Sequence, residues 1–233
     1  MQAEEATKMD DTGPGDAADV RRRTKGAIVE AALTHAAFDG WTDDTVLYAA
    51  AECEVDSRTA RRLFPRGGKD LLAAVDDWLD RRMLRTFDPE ALEAMPVRKR
   101  IAALVRARFE PLDGHEEAMR RAALAHAMPW AAGSSARRVW RTADRIWEAA
   151  GFPDTSADGF SRYSRRGLLV GILASTYLYW LDDRSPNHAD SWAFLDRRID
   201  DALKFGRTTA GLTRWLPRLP RGRSGAGASQ GRP

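Results

Sequence analysis

The sequence predicts an all-α protein, and three observations carry that prediction. Apolar residues recur at i, i+3, i+4 and i+7 in one segment after another. No stretch shows the alternation of a half-buried strand. Gly40, Pro65, Pro89, Pro96, Gly114, Pro129 and Gly151 divide the periodic segments at helical lengths. With 233 residues and an apolar fraction of 43% the chain has ample material for a core.

Residues 27 to 75 organise the N-terminal part. Ala27, Ile28, Ala31, Ala32, His35 and Phe38 share one helical face, and Gly40 stops that helix. Thr42 is placed to cap a second helix, with Val46, Leu47 and Ala50 inward. Asp56 can cap a third that ends before Pro65, and a fourth starts near Lys69 with Leu71, Leu72, Val75 and Leu79. Three small helices with a tight turn between the second and third form a helix-turn-helix arrangement.

Further along, Val97, Ile101, Leu104, Val105 and Phe109 form one stripe, closed by Pro111 and Gly114. A helix over 115–128 stops at Pro129, and Gly133-Ser134 leads into a long one through Trp140 and Trp147 to Gly151. Residues 156–182 read as the most apolar helix. Its uncharged run from Gly167 to Leu181 has fifteen residues, short of the roughly 20 that span a bilayer, so a helix buried among neighbours is expected. Ser185-Pro186 is a cap and first-turn pair for the last body helix, which turns Trp192, Phe194, Leu195, Ile199 and Leu203 inward.

Charge is distributed unevenly. The net +3 combines seven basic and no acidic residues after Asp201 with a body at −4. Residues 1–20 are acidic among small residues and read as a disordered arm, neither a signal peptide nor an Arg-rich transit peptide. The lone Cys53 excludes an intrachain disulfide and fits a reducing compartment. A bacterial cytoplasmic protein is the simplest expectation, with a processed organellar protein as the alternative.

Catalytic signatures are missing. None of His35, His115, His126 and His188 has a glutamate three residues before it, and HExxH, Walker A and GxGxxG patterns are absent. The pairs Asp76-Asp77, Asp182-Asp183 and Asp200-Asp201 are adjacent, so on a helix their side chains diverge by about 100°. The chain reads as a non-enzyme without cofactor or metal. Eight tryptophans, with Trp140, Trp147, Trp180 and Trp192 in the C-terminal helices, either fill a core or line a tunnel between helices.

The run from the alanine-rich first helix through Gly40 to Phe64, Lys69 and Leu71-Leu72 resembles the N-terminal domain of TetR-type regulators. Two positions depart from it. Glu54 stands where such regulators usually have a turn glycine, and Ala60-Arg61 replaces a usual Leu-Tyr pair. Between Asp43 and Gly68 five acids face four arginines, a balance of −1 that does not suit a polyanion. Together with FPRGG, VWRTADRIWEAAG, YSRRGLLVGILASTYLYWLDD and SPNHADSWAFLDRRIDD, the chain from about Ala27 to Phe205 resembles the lipid-binding accessory proteins of ubiquinone (coenzyme Q) biosynthesis, which have a TetR-like fold.

That resemblance implies a TetR-like helical bundle with a degenerate helix-turn-helix. The expected layout is an arm (1–20), a helix-turn-helix-like domain (21–87), a lipid-binding and dimerisation domain (88–205) and a basic amphipathic tail (206–233). It implies an isoprenoid lipid, a ubiquinone precursor, near Trp147, Leu173, Tyr177 and Trp180, and a homodimer built on the last two body helices. The expected partner is demethoxyubiquinone hydroxylase, docked around Phe160, Tyr163, Arg165 and Arg166. There the family usually reads Trp-Tyr where this chain has Arg162-Tyr163. Phe160 and Tyr163, spaced i and i+3, equally suit a core-facing pair. In the tail, Leu212, Trp215, Leu216 and Leu219 fall at i, i+3, i+4 and i+7 with Arg214 and Arg218 between them. Such a segment suits the interface of an anionic membrane, interrupted by Pro217, so a location peripheral to the inner membrane is expected. Specific nucleic-acid binding is not expected; the alternative is a TetR-type ligand-responsive transcriptional repressor.

Overall fold

A computed structural model describes residues 14–151 and 159–213. The described residues form ten α-helices and two short 3-10 turns, with no strand among them. Helix α1 (Pro14–Asp39) is followed by α2 (Asp43–Glu52), α3 (Ser57–Leu63), α4 (Gly68–Thr86) and α5 (Pro89–Ala94). The larger C-terminal bundle comprises α6 (Val97–Phe109), α7 (Glu116–Ala127), α8 (Pro129–Ala149), α9 (Gly159–Asp182) and α10 (Ala189–Thr213).

The N-terminal caps form as the sequence dictates. The Thr45 amide donates to the Thr42 hydroxyl, and the Thr59 amide donates to the Asp56 carboxylate. Between α2 and α3, Glu54 adopts φ 57°, the left-handed conformation that a turn glycine would take freely. The turn geometry therefore survives the loss of the glycine.

The FPRGG segment has a steric explanation. A Cβ on Gly68 would overlap the Trp41 carbonyl, and the Gly68 amide donates to Asp43 Oδ1 at 2.9 Å. This close approach seats α4 against the start of α2 and lets Leu71, Val75 and Leu79 close over Ile28 and Val46 in one continuous core. Trp41 then donates from Nε1 to the Ala118 carbonyl, which locks the helix-turn-helix unit onto α7.

Several boundaries differ from the sequence reading. Helix α1 begins at Pro14, so residues 14–20 are helical rather than part of a disordered arm. Proline at the first helical position and an Asp19–Arg22 ion pair favour that extension. The short helix α5 fills the interval between Pro89 and Pro96, capped by Asp88. Helix α8 starts at Pro129 itself and runs straight through Gly133-Ser134. Helix α10 runs to Thr213, so the boundary drawn after residue 205 falls inside a helix.

Candidate functional site

An apolar concavity lies between α6, α7, α8 and α9, with Asp76 of α4 also lining it. It encloses about 310 Å³. Phe109, Met119, Ala123, Val139 and Leu173 supply apolar walls because each helix turns its apolar stripe to the same interior. Leu178 is 61% exposed yet lines the cavity, and the exposed Ala127 and Ala174 join it at the rim.

One wall is polar. Asp76, Arg108, His126, Ser135, Arg138 and Thr142 line it, and they belong to a network that reaches into the core. Asp80, 2% exposed, accepts from Arg108 Nε at 2.8 Å and from Arg145 Nη1 at 2.8 Å. Thr142 donates to the same carboxylate at 3.0 Å. Asp76 accepts from Arg108 Nη2 at 2.9 Å and from Arg138 Nε at 3.0 Å. Burial alone would lower the pKa of Arg108, but Asp80 and Asp76 outweigh it and the net shift is upward, so the guanidinium stays charged.

Two of the four expected lipid-binding residues lie on this cavity. Leu173, 4% exposed, is part of the wall, and Tyr177 lines it while donating from its hydroxyl to the Met119 carbonyl at 2.6 Å. Burial pushes the Tyr177 phenol up, so it remains a neutral donor. Trp180 is 1% exposed and packs edge-on against Phe109 with ring centroids 5.8 Å apart; it fills the core rather than the cavity wall. Trp147 is half-buried against the core and does not line the cavity.

Of the expected docking residues, the side chains of Phe160, Tyr163 and Arg165 lie outside the described ones. Arg166 is described: it is 6% exposed, with its guanidinium against the Asp144 carboxylate, so it serves as an internal ion pair between α9 and α8 rather than as exposed docking surface. The side chain of Leu212 is not described, although its backbone lies in α10; Trp215, Leu216 and Leu219 lie outside the described residues. Among the described residues no helix is long and apolar enough to cross a membrane.

His35 lies at the boundary, 2.9 Å from Glu52, as its half-apolar face requires. His188 Nε2 sits 3.3 Å from Asp113 and 3.4 Å from Glu116, and these ligand-type atoms lie within 4.8 Å of one another. The arrangement clasps the turn before α7 to the start of α10. Because His188 comes from a segment far in sequence from Asp113 and Glu116, no local motif announces the cluster.

The charged network was also missed by motif reading. Its signal is periodic: Asp76 and Asp80 at i and i+4, and Arg138, Thr142 and Arg145 at i, i+4 and i+7. Arg108 likewise falls beside the apolar stripe of α6, four residues after Leu104.

Residues 132–206, which include most of α8, all of α9 and most of α10, match the COQ9 family model. The chain is 29% identical over 206 residues to the mitochondrial ubiquinone biosynthesis protein COQ9 of Drosophila melanogaster, covering 86% of this chain and 62% of that protein. The Homo sapiens protein of the same name is 29% identical over 188 residues, 78% of this chain and 58% of that one. In shape the chain is similar to a TetR transcriptional regulator from Nitrosomonas europaea, with a TM-score of 0.62 and 23% identity over 78% of this chain and 98% of that one. The chain is similar to COQ9 proteins, and its fold is TetR-like. It spans about three fifths of the length of the COQ9 relatives it matches. The cavity helices α8 and α9 lie largely within the COQ9 match, whereas the likeness to the regulator speaks for the fold alone.

Proposed function

We propose that this chain is a non-catalytic, lipid-binding accessory factor of ubiquinone biosynthesis, which holds a polyprenyl quinone precursor in the α6–α9 cavity and presents it to a membrane-associated hydroxylase. The observation that carries this reading is an apolar interhelical cavity with a polar wall, in a chain whose residues 132–206 match the COQ9 family model. A ligand with a polar ring and a hydrocarbon tail matches that division. At about 310 Å³ the cavity is at the small end of the ~300–1,000 Å³ typical of ligand sites. It therefore takes the ring and the first isoprene units, and the rest of the tail leaves past Leu178. Tyr163 remains the proposed contact to the hydroxylase, on the strength of the resemblance.

Leu173→Trp tests the assignment by filling the cavity. Copurified lipid should fall while the far-UV circular dichroism stays helical. Normal lipid occupancy in a well-folded variant would move the ligand elsewhere.

A ligand-responsive repressor is the second reading, favoured by one observation: the helix-turn-helix turn keeps its geometry at Glu54. Against it stands the net −1 charge between Asp43 and Gly68. A genome-wide pull-down recovering one palindromic site at physiological salt would establish this reading over the first.

A further inference from the structure

The carboxylates beside the cavity are already engaged by donors. Each oxygen of Asp76 already receives a guanidinium N–H, from Arg108 or from Arg138. Each oxygen of Asp80 receives donors from Arg108, Arg145 or Thr142. The Tyr177 proton is directed to the Met119 carbonyl.

His126 differs from the rest of this wall. Its Nδ1 lies 2.9 Å from Nη2 of Arg138 and 3.0 Å from the Ser135 hydroxyl. A guanidinium only donates, so Nδ1 must be the bare, accepting nitrogen. The neutral ring then carries its proton on Nε2. Burial lowers the His126 pKa; Asp76 opposes this, while Arg138 and Arg108 reinforce it, and the net shift is downward. The ring lines the cavity, and among the described residues Nε2 has no hydrogen-bond partner. What His126 has to offer a ligand is a donor.

We infer that His126 recognises an acceptor oxygen on the ligand head group, and that the cavity favours the oxidised, carbonyl-bearing form of a prenylated ring over the form bearing hydroxyl groups. This rests on the lipid reading above. A quinone carbonyl only accepts and satisfies Nε2–H without bringing a donor of its own. A hydroquinone hydroxyl also brings a proton, which must compete with guanidinium donors for carboxylate oxygens already engaged, and a buried donor left poorly satisfied is costly. The Arg138–Asp76 pair fixes the tautomer, so the preference is built into the fold rather than into the ligand.

The test measures dissociation constants by titration calorimetry under anaerobic conditions. The ligands are a short-chain prenylated benzoquinone, its hydroquinone and an oxygen-free isoprenoid, farnesene. Wild type should bind the quinone on the order of tenfold more tightly than the hydroquinone. His126→Phe keeps the aromatic bulk and should lose that advantage while binding farnesene as wild type does. His126→Gln offers both an acceptor for Arg138 and an amide donor, and should restore part of it. Equal wild-type affinity for quinone and hydroquinone would overturn the inference. So would undiminished quinone binding by a folded His126→Phe protein. If His126→Phe does not fold, the wild-type ratio and His126→Gln decide. If wild type binds none of the three ligands, the lipid reading itself fails, and this result is distinct from a loss of discrimination alone.

Discussion

Arg108 Nε lies 2.8 Å from Asp80 Oδ1, and this buried pair joins α4, the last helix of the helix-turn-helix unit, to α6 of the cavity-bearing bundle. The carboxylate also anchors Thr142 and Arg145 on α8. Asp80 thus holds three helices at one point. Removing it takes one of two carboxylates from the buried Arg108, leaving Asp76 as its remaining partner, and breaking a buried pair from one side typically costs about 3–5 kcal/mol. Asp80→Ala should therefore lower the unfolding free energy by roughly that amount in urea titration. Asp80→Leu with Arg108→Met should recover much of the loss, since apolar replacement removes both buried charges of the pair together.

Glu54 offers a stabilising substitution. Its φ of 57° costs a residue with a Cβ about 1–2 kcal/mol. Glycine removes that strain but gains freedom in the unfolded chain worth about 0.4–1 kcal/mol. Glu54→Gly should raise the melting temperature by a few degrees, a net gain of up to about 1 kcal/mol. It should leave DNA binding unchanged, because the turn already has its geometry.

Asp183 should make the chain acid-sensitive. Burial alone would raise its carboxyl, but hydrogen bonds from Ser191 and Ser185 outweigh it and hold the pKa at about 2. The Ser185 and Ser191 amides donate to it at 2.8 Å, which fixes the turn before α10. An unfolded aspartate titrates near ~4. Between about 2 and ~4 the unfolded chain holds more protons, so stability rises with pH there and this contribution is complete above that window. Asp183→Asn should be less stable than wild type by about 2 kcal/mol at neutral pH. The gap should close as pH falls toward 2 in paired denaturation curves.

Membrane attachment is expected to reside in the basic tail. Since α10 continues to Thr213, truncation after Phe205 would cut a helix, and truncation after Thr213 is the cleaner experiment. The shortened protein should no longer float with anionic vesicles, and salt should weaken flotation of the full chain. Unchanged flotation after truncation would remove the tail from the mechanism.

Much of the bundle is legible in the sequence because its signals are local. Thr42 and Asp56 cap the helices they precede, and Gly40 and Gly114 end their segments with positive φ. Pro129 shows how such signals mislead. Proline is excluded from a helix interior yet favoured at its first position, so the same residue that ends α7 begins α8. The cavity was harder to read. Leu173 and Tyr177 share a face of α9 at i and i+4, while Trp180 at i+7 has turned toward Phe109 and the core. Aromatic density alone does not distinguish a wall from a filler. His126 carries no local sequence signal, because its partners Arg138 and Ser135 are brought to it by the packing of α8 on α7.

The central claim is that the α6–α9 cavity holds an isoprenoid quinone precursor, and mass spectrometry of lipid extracted from the purified full-length protein tests it most directly. The account predicts an isoprenoid with an oxygenated ring, near stoichiometric in wild type and depleted in Leu173→Trp. Returning that lipid to delipidated protein should raise the melting temperature, because a ligand selective for the native state must stabilise it. An extract without isoprenoid, together with no thermal stabilisation by any added isoprenoid, would contradict the claim.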